Sequence, residues 1–150
     1  MIKYRVYQLL LSLGIVFVMS CSEKPVPVRL IFDTDFGGDA DDLGALAMLN
    51  HFQNKGEVDL LAVMCWNLET YAISAIDATN TYYGNPDIPI GRRLGEAHNT
   101  PWNHSKVIAD NLDHDLNLNN VSDATKLYRQ HLSASEDASV VIVAVGPLMN

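Results

Sequence analysis

Short β-rich apolar runs alternate along this chain with longer segments whose apolar residues fall at helical spacing. Residues 28–32 predict a buried strand. Residues 42–52 predict a helix with Leu43, Leu46, Ala47 and Leu49 on its apolar side and acids at its start, where the helix dipole favours them. Gly56 closes that helix, 58–65 predict a second strand, and 70–83 a second helix stopped by Gly84. A short strand is expected at 88–90. Residues 96–121 are rich in Asn, His and Asp and predict a loop with one helical turn near 105–110. Ser122 then reads as the cap of a helix running to about Ser133, and the apolar run 140–145 predicts a strand covered on both faces. Strands that alternate with helices pair in parallel through crossover connections, so the fold class is α/β, an open, mostly parallel sheet with flanking helices.

The N-terminus has a different logic. Lys3 and Arg5 precede an apolar run at 6–19, broken only by Gln8 and Ser12, which is the layout of a signal peptide over residues 1–20. The run is shorter than the roughly 20 residues that cross a hydrocarbon core. Its end, Val18-Met19-Ser20-Cys21, resembles a bacterial lipobox. That resemblance implies that Cys21 becomes an acylated first residue, which anchors an exported protein in the cell envelope, at the periplasm or outer membrane. Two prolines within SEKPVP forbid a helix, so 21–27 form a lipidated tether and the folded domain starts at 28.

Composition supports a folded domain, with 48% hydrophobic and 19% charged residues. The net charge is −8, or −10 once Lys3 and Arg5 are set aside. No basic footprint exists to displace the counterions of a nucleic acid, which excludes that class of partner. Neutral or cationic ligands suit such a chain, and an anion only through a bound metal. The two cysteines, Cys21 and Cys65, make no disulfide framework, and Cys65 reads as a buried strand residue.

Ligands of parallel sheets bind at the carboxyl ends of the strands. Three groups of unusual residues follow predicted strands: DTDFGGDADD at 33–42, Trp66-Asn67, and GPLMN at 146–150. Half of the first group is aspartate, namely Asp33, Asp35, Asp39, Asp41 and Asp42, against 13 aspartates in the whole chain. Like charges so close repel by about 1 kcal/mol per pair or more, so the loop needs a cation or raised pKa values. Oxygen ligands suit Ca²⁺ or Mg²⁺, Gly37-Gly38 lets the loop wrap an ion, and no interleaved Cys or His points to Zn²⁺. An EF-hand loop fails because its twelfth position is Gly44, not Glu. A haloacid-dehalogenase type phosphatase would use Asp33 as nucleophile and Asp35 as acid, but it expects Thr or Val where Gly37 stands and leaves Asp41 and Asp42 without a role.

Asp33, Asp35, Gly37, Asp41 and Asp42 together resemble the N-terminal motif of the inosine-uridine preferring nucleoside hydrolases. The interval from Asp35 to Asp41 is longer than in the most familiar members, as in a bacterial variant carrying an extra aspartate, here Asp39. The resemblance continues through Asn67, NTYYGNPDIPIG at 80–91 and GPLMN at 146–150. It implies hydrolysis of the N-glycosidic bond of a ribonucleoside by Ca²⁺-bound water, with Asp35 as general base and metal ligand. Asp42 would be a second ligand, the backbone carbonyl of Met149 a third, and Asp39 an additional ligand or a stand-in for another. Asp41 and Asn67 would hold ribose hydroxyls, and Asp33 would tie down the loop. His98, His104 and His114 lie in the long loop, within reach of a leaving base but of a type common on surfaces. The family fold continues beyond Asn150, which implies that 28–150 are the N-terminal part of the domain. A further aspartate ligand would then lie downstream, the isolated chain would be poorly folded or inactive, and the full-length form could be a homo-oligomer. A rival from another class is a non-catalytic, metal-stabilised nucleoside- or sugar-binding lipoprotein.

Overall fold

A computed structural model describes residues 25–99 and 104–147. The predicted signal peptide, Cys21 and Met149 lie outside the described residues. Pro25, Val26 and Pro27 are exposed and without regular structure, directly before the first strand.

The elements follow in the order β1 (Val28–Thr34), α1 (Asp41–Lys55), β2 (Val58–Cys65), α2 (Ala72–Tyr82), β3 (Ile90–Arg92), α3 (His104–Asn111), β4 (Ser122–Asp123), α4 (Ala124–Ser133) and β5 (Val141–Ala144). All five strands are parallel, in the order β4-β3-β2-β1-β5. The chain walks outward from β1 to β4 and then returns to pair β5 on the other side of β1. That reversal makes the β1/β5 seam the topological switch point, where open α/β sheets leave a crevice.

Alternation along the strands divides the core between the two faces of the sheet. Leu30 and Phe32 pack with Leu46 of α1 and Ile73 and Ile76 of α2. Ile31, Ala62 and Met64 pack with Ala124 and Leu127 of α4. Leu60 and Val63 share a face although they are an odd number of residues apart, because the register between β1 and β2 slips by one residue after Leu30. Helix α2 is buried from Ala72 to Asn80, and its small residues let it sit between α1 and α3. Gly91 permits α4 to start directly on the sheet, since a Cβ there would lie 2.9 Å from Ala124 Cα.

Several expectations shift in the structure. The third strand pairs at 90–92 rather than 88–90, because Pro89 has no N–H; its carbonyl instead accepts the Val63 N–H at 2.9 Å. The single helical turn is an eight-residue helix, α3, whose buried stripe is only Ser105 and Ala109 and so leaves little apolar signal. Ser122 is not the cap of α4: it pairs with Gly91 in β4, and Asp123 caps the helix by accepting the Lys126 N–H at 2.9 Å. The strand expected to be covered on both faces is an edge strand. Val141 and Ile142 of β5 are 47% and 46% exposed, because among the described residues no element packs beyond it.

Candidate metal centre at the carboxyl edge of the sheet

The end of β1 distributes its residues by strand alternation. Asp33 faces α4 and accepts the Tyr128 hydroxyl proton at 2.6 Å. Burial first, and then that bond to a carboxylate, push the Tyr128 pKa up. Asp33 therefore ties the strand end to α4, away from the other aspartates. Thr34 faces α1 and donates to Asp42 Oδ1 at 2.5 Å. Phe36 enters the core, and Gly37 turns the chain with φ +120°. Space is also tight here, since a Cβ would sit 2.9 Å from the buried Ser105 Oγ, which would have to turn aside.

Asn67, at the end of β2, straps this loop. Its amide donates to the carbonyls of Asp35 at 3.0 Å and Phe36 at 3.2 Å, and its Oδ1 accepts the Glu69 N–H at 3.1 Å. Both amide hydrogens are thus engaged within the protein, which leaves one lone pair of Oδ1 for anything bound outside. Cys65 is fully buried, as a strand residue should be, and burial pushes its thiol up to about 12.

Helix α1 opens at Asp41 with no side-chain cap on its first turn. Asp39, Asp41 and Asp42 gather there, each able to offer one carboxylate oxygen, and these oxygens lie within 4.8 Å of one another. Asp42 is buried, while Asp39 and Asp41 are exposed. Burial first, and then the charges of Asp35, Asp41 and Asp39, raise Asp42 to about 6 against the opposing pull of the Thr34 hydrogen bond. A hydrogen bond between the carboxyls of Asp39 and Asp41 raises the pKa of the first and lowers that of the second. The group holds three carboxylates at the N-terminus of a helix, without nitrogen or sulfur donors. Such a donor set can hold a metal ion, whose charge would relieve both the repulsion and the burial of Asp42.

Asp35 stands beside this group rather than within it. Its charge reaches Asp42 and Asp39, but its carboxylate lies against Gly146, where a Cβ would come within 2.7 Å of Asp35 Oδ1 and 2.6 Å of Trp66 Nε1. Gly146 follows β5, so Asp35 occupies the switch-point seam. Trp66 is partly buried, its Nε1 finds no acceptor among the described residues, and the Arg93 guanidinium lies 5.5 Å from its ring centroid. The structure thus joins Asp39, Asp41 and Asp42 and sets Asp35 next to them. His98, His104 and His114 are all exposed. Sequence reasoning missed Thr34 and Tyr128 as partners of Asp42 and Asp33. Thr34 sits inside the motif itself, whereas Tyr128 is 95 residues from Asp33 and carries no local signal. No protein-family model and no curated protein matches this chain, so the α/β fold and the acidic cluster rest on geometry.

Proposed function

We propose that this chain belongs to the chemistry its motif resembles, hydrolysis of the N-glycosidic bond of ribonucleosides with Ca²⁺ held at the acidic loop and the protein anchored to the envelope through Cys21. The observation that carries the proposal is the convergence of the Asp39, Asp41 and Asp42 carboxylates within 4.8 Å at the carboxyl edge of a parallel sheet. An all-oxygen, carboxylate-rich donor set favours a hard cation such as Ca²⁺. Of that group Asp42 and Asp39 would hold the ion, joined by Asp35, which stands beside them, and by the Met149 carbonyl, while Asp41 would be left for the substrate. Bound there, Ca²⁺ supplies a water of lowered pKa.

The protein's own groups do the rest. Asp35 accepts the proton of the attacking water as general base. Asp41, exposed at the helix start, accepts a hydrogen bond from a ribose hydroxyl. Asn67 keeps the loop in register through Asp35 and Phe36 and offers its remaining Oδ1 lone pair to the sugar. The deciding assay is ribose release from inosine and uridine by the full-length form, with and without added Ca²⁺. Calcium-dependent release supports the hydrolase. Nucleoside binding without release supports the non-catalytic binding lipoprotein, and phosphate release from a phosphomonoester supports dehalogenase-like chemistry.

A further inference from the structure

A second feature of the carboxyl edge lies apart from the acidic loop. Beyond β3, between α2 and α3, the surface opens into a cavity of about 480 Å³. Neither Asp35 nor any of Asp39, Asp41 and Asp42 lines it. Its volume falls in the range of small-molecule sites.

The charge inside runs against that of the molecule. Arg92, the last residue of β3, is partly buried in the cavity wall, and among the described residues its side chain makes one hydrogen bond, a long one of 3.4 Å to the Arg93 carbonyl. Among the described residues no carboxylate lies within ion-pair distance of Arg92. The acid on the cavity wall, Asp110, is already paired with Lys106 at 2.5 Å. Asp123, which stands opposite Arg92 in the sheet, turns a carboxylate oxygen to the Lys126 N–H, so that in a chain of net charge −8 this wall carries a cation held in no ion pair among the described residues. The remaining wall is mixed. Ser74 donates to the Leu116 carbonyl and keeps its own lone pairs, while Ala109 and Leu118 are buried and apolar.

We propose that this cavity binds a small organic anion, whose carboxylate or phosphate is received by the Arg92 guanidinium while its body rests on Ala109 and Leu118. A planar guanidinium presents paired donors that match either oxyanion, and Arg92 projects from the strand end where ligands of such sheets gather. No metal is required, which separates the site from the acidic loop.

The test is calorimetric titration of the whole chain with inorganic phosphate and, separately, with benzoate, at pH 7 in the presence of EDTA. Saturable binding of either probe, weakened about tenfold or more by Arg92→Gln and partly kept by Arg92→Lys, is expected. Asp42→Asn should leave it unchanged. Far-UV circular dichroism of each variant verifies the fold, since the Arg92 side chain contributes no ion pair to it. The proposal is overturned if wild-type protein binds neither probe under these metal-free conditions, or if Arg92→Gln binds as well as wild type. Phosphate binding without benzoate binding identifies a phosphate ester as the ligand class, and the reverse a carboxylate.

Discussion

Two polar clusters stand toward opposite ends of helix α1, and they are solved differently. At the amino end of the sheet, Asn50 of α1 donates to the Leu46 carbonyl at 3.1 Å and to Asn80 Oδ1 at 2.8 Å, and accepts from Asn85 Nδ2 at 2.9 Å. The groups are neutral, and the network closes within the protein except for Asn80 Nδ2. At the carboxyl end, Asp42 is nearly as buried, but its neighbours are Asp35, Asp39 and Asp41, and among the described residues only the Thr34 side chain donates to it. Amides carry donors and acceptors and can satisfy one another, whereas carboxylates only accept. The first cluster is complete as a structural joint. In the second, water can serve Asp39 and Asp41, while the buried charge of Asp42 is one that a proton or a cation would relieve.

Five experiments break or sharpen this contrast. The largest effect is expected from Asp35→Asn, which should lower ribose release by about 10²- to 10⁴-fold, the usual share of a general base, while leaving the melting temperature near wild type. Equal activity in the variant would remove Asp35 from the chemistry. Next, Asn50→Ala should destabilise the protein by about 2–3 kcal/mol, because Asn80 and Asn85 lose partners in a buried setting. Urea unfolding with and without Ca²⁺ should give the same increment on metal addition as in wild type; a changed increment would show that the two ends are coupled.

For the metal itself, Ca²⁺ at about 100 times its Kd should stabilise the wild-type chain by roughly 2.7 kcal/mol, and Asp42→Asn should lose most of that gain. A pH dependence follows from the same residue. In the metal-free fold Asp42 holds its proton up to about 6 instead of the ordinary 3.8, so its stabilising contribution is full below about pH 3.8 and is lost as pH rises to 6. The difference between wild type and Asp42→Asn in a melting series from pH 3.5 to 7 isolates this term, and a flat difference would refute the burial of that charge. The smallest effect belongs to Tyr128→Phe. Removing one hydroxyl donor from Asp33 should cost about 1 kcal/mol of stability without altering Ca²⁺ affinity, as measured by calorimetry.

The net charge of −8 suggested that anions could enter only through a metal, yet the Arg92 cavity carries local positive charge. Whole-chain charge describes the far field, and a cavity responds to the few groups within a Debye length of it. The same distinction separates what was legible from what was not in the elements. Strand β2 and helix α1 were legible because the unbroken apolar run of the one, the length of the other and the closing Gly56, in the left-handed region at φ 71°, are local properties. Helix α3 was legible only as a single turn and strand β4 not at all, because an eight-residue helix with two buried residues and a two-residue pairing are short signals set within a polar stretch.

By itself the sequence determined the alternation of strands and helices, hence a parallel α/β sheet, and the accumulation of aspartate just after the first strand. Both are written in neighbouring residues, since periodicity and charge density act over one or two turns of chain. The tertiary structure decided which aspartates meet. Strand alternation sends Asp33 to α4 and Thr34 to Asp42, and the first turn of α1 gathers Asp39, Asp41 and Asp42. The return of β5 to the far side of β1 sets Gly146 against Asp35. These outcomes depend on the direction of each strand and the face each helix covers, which are properties of packing between segments far apart in the chain.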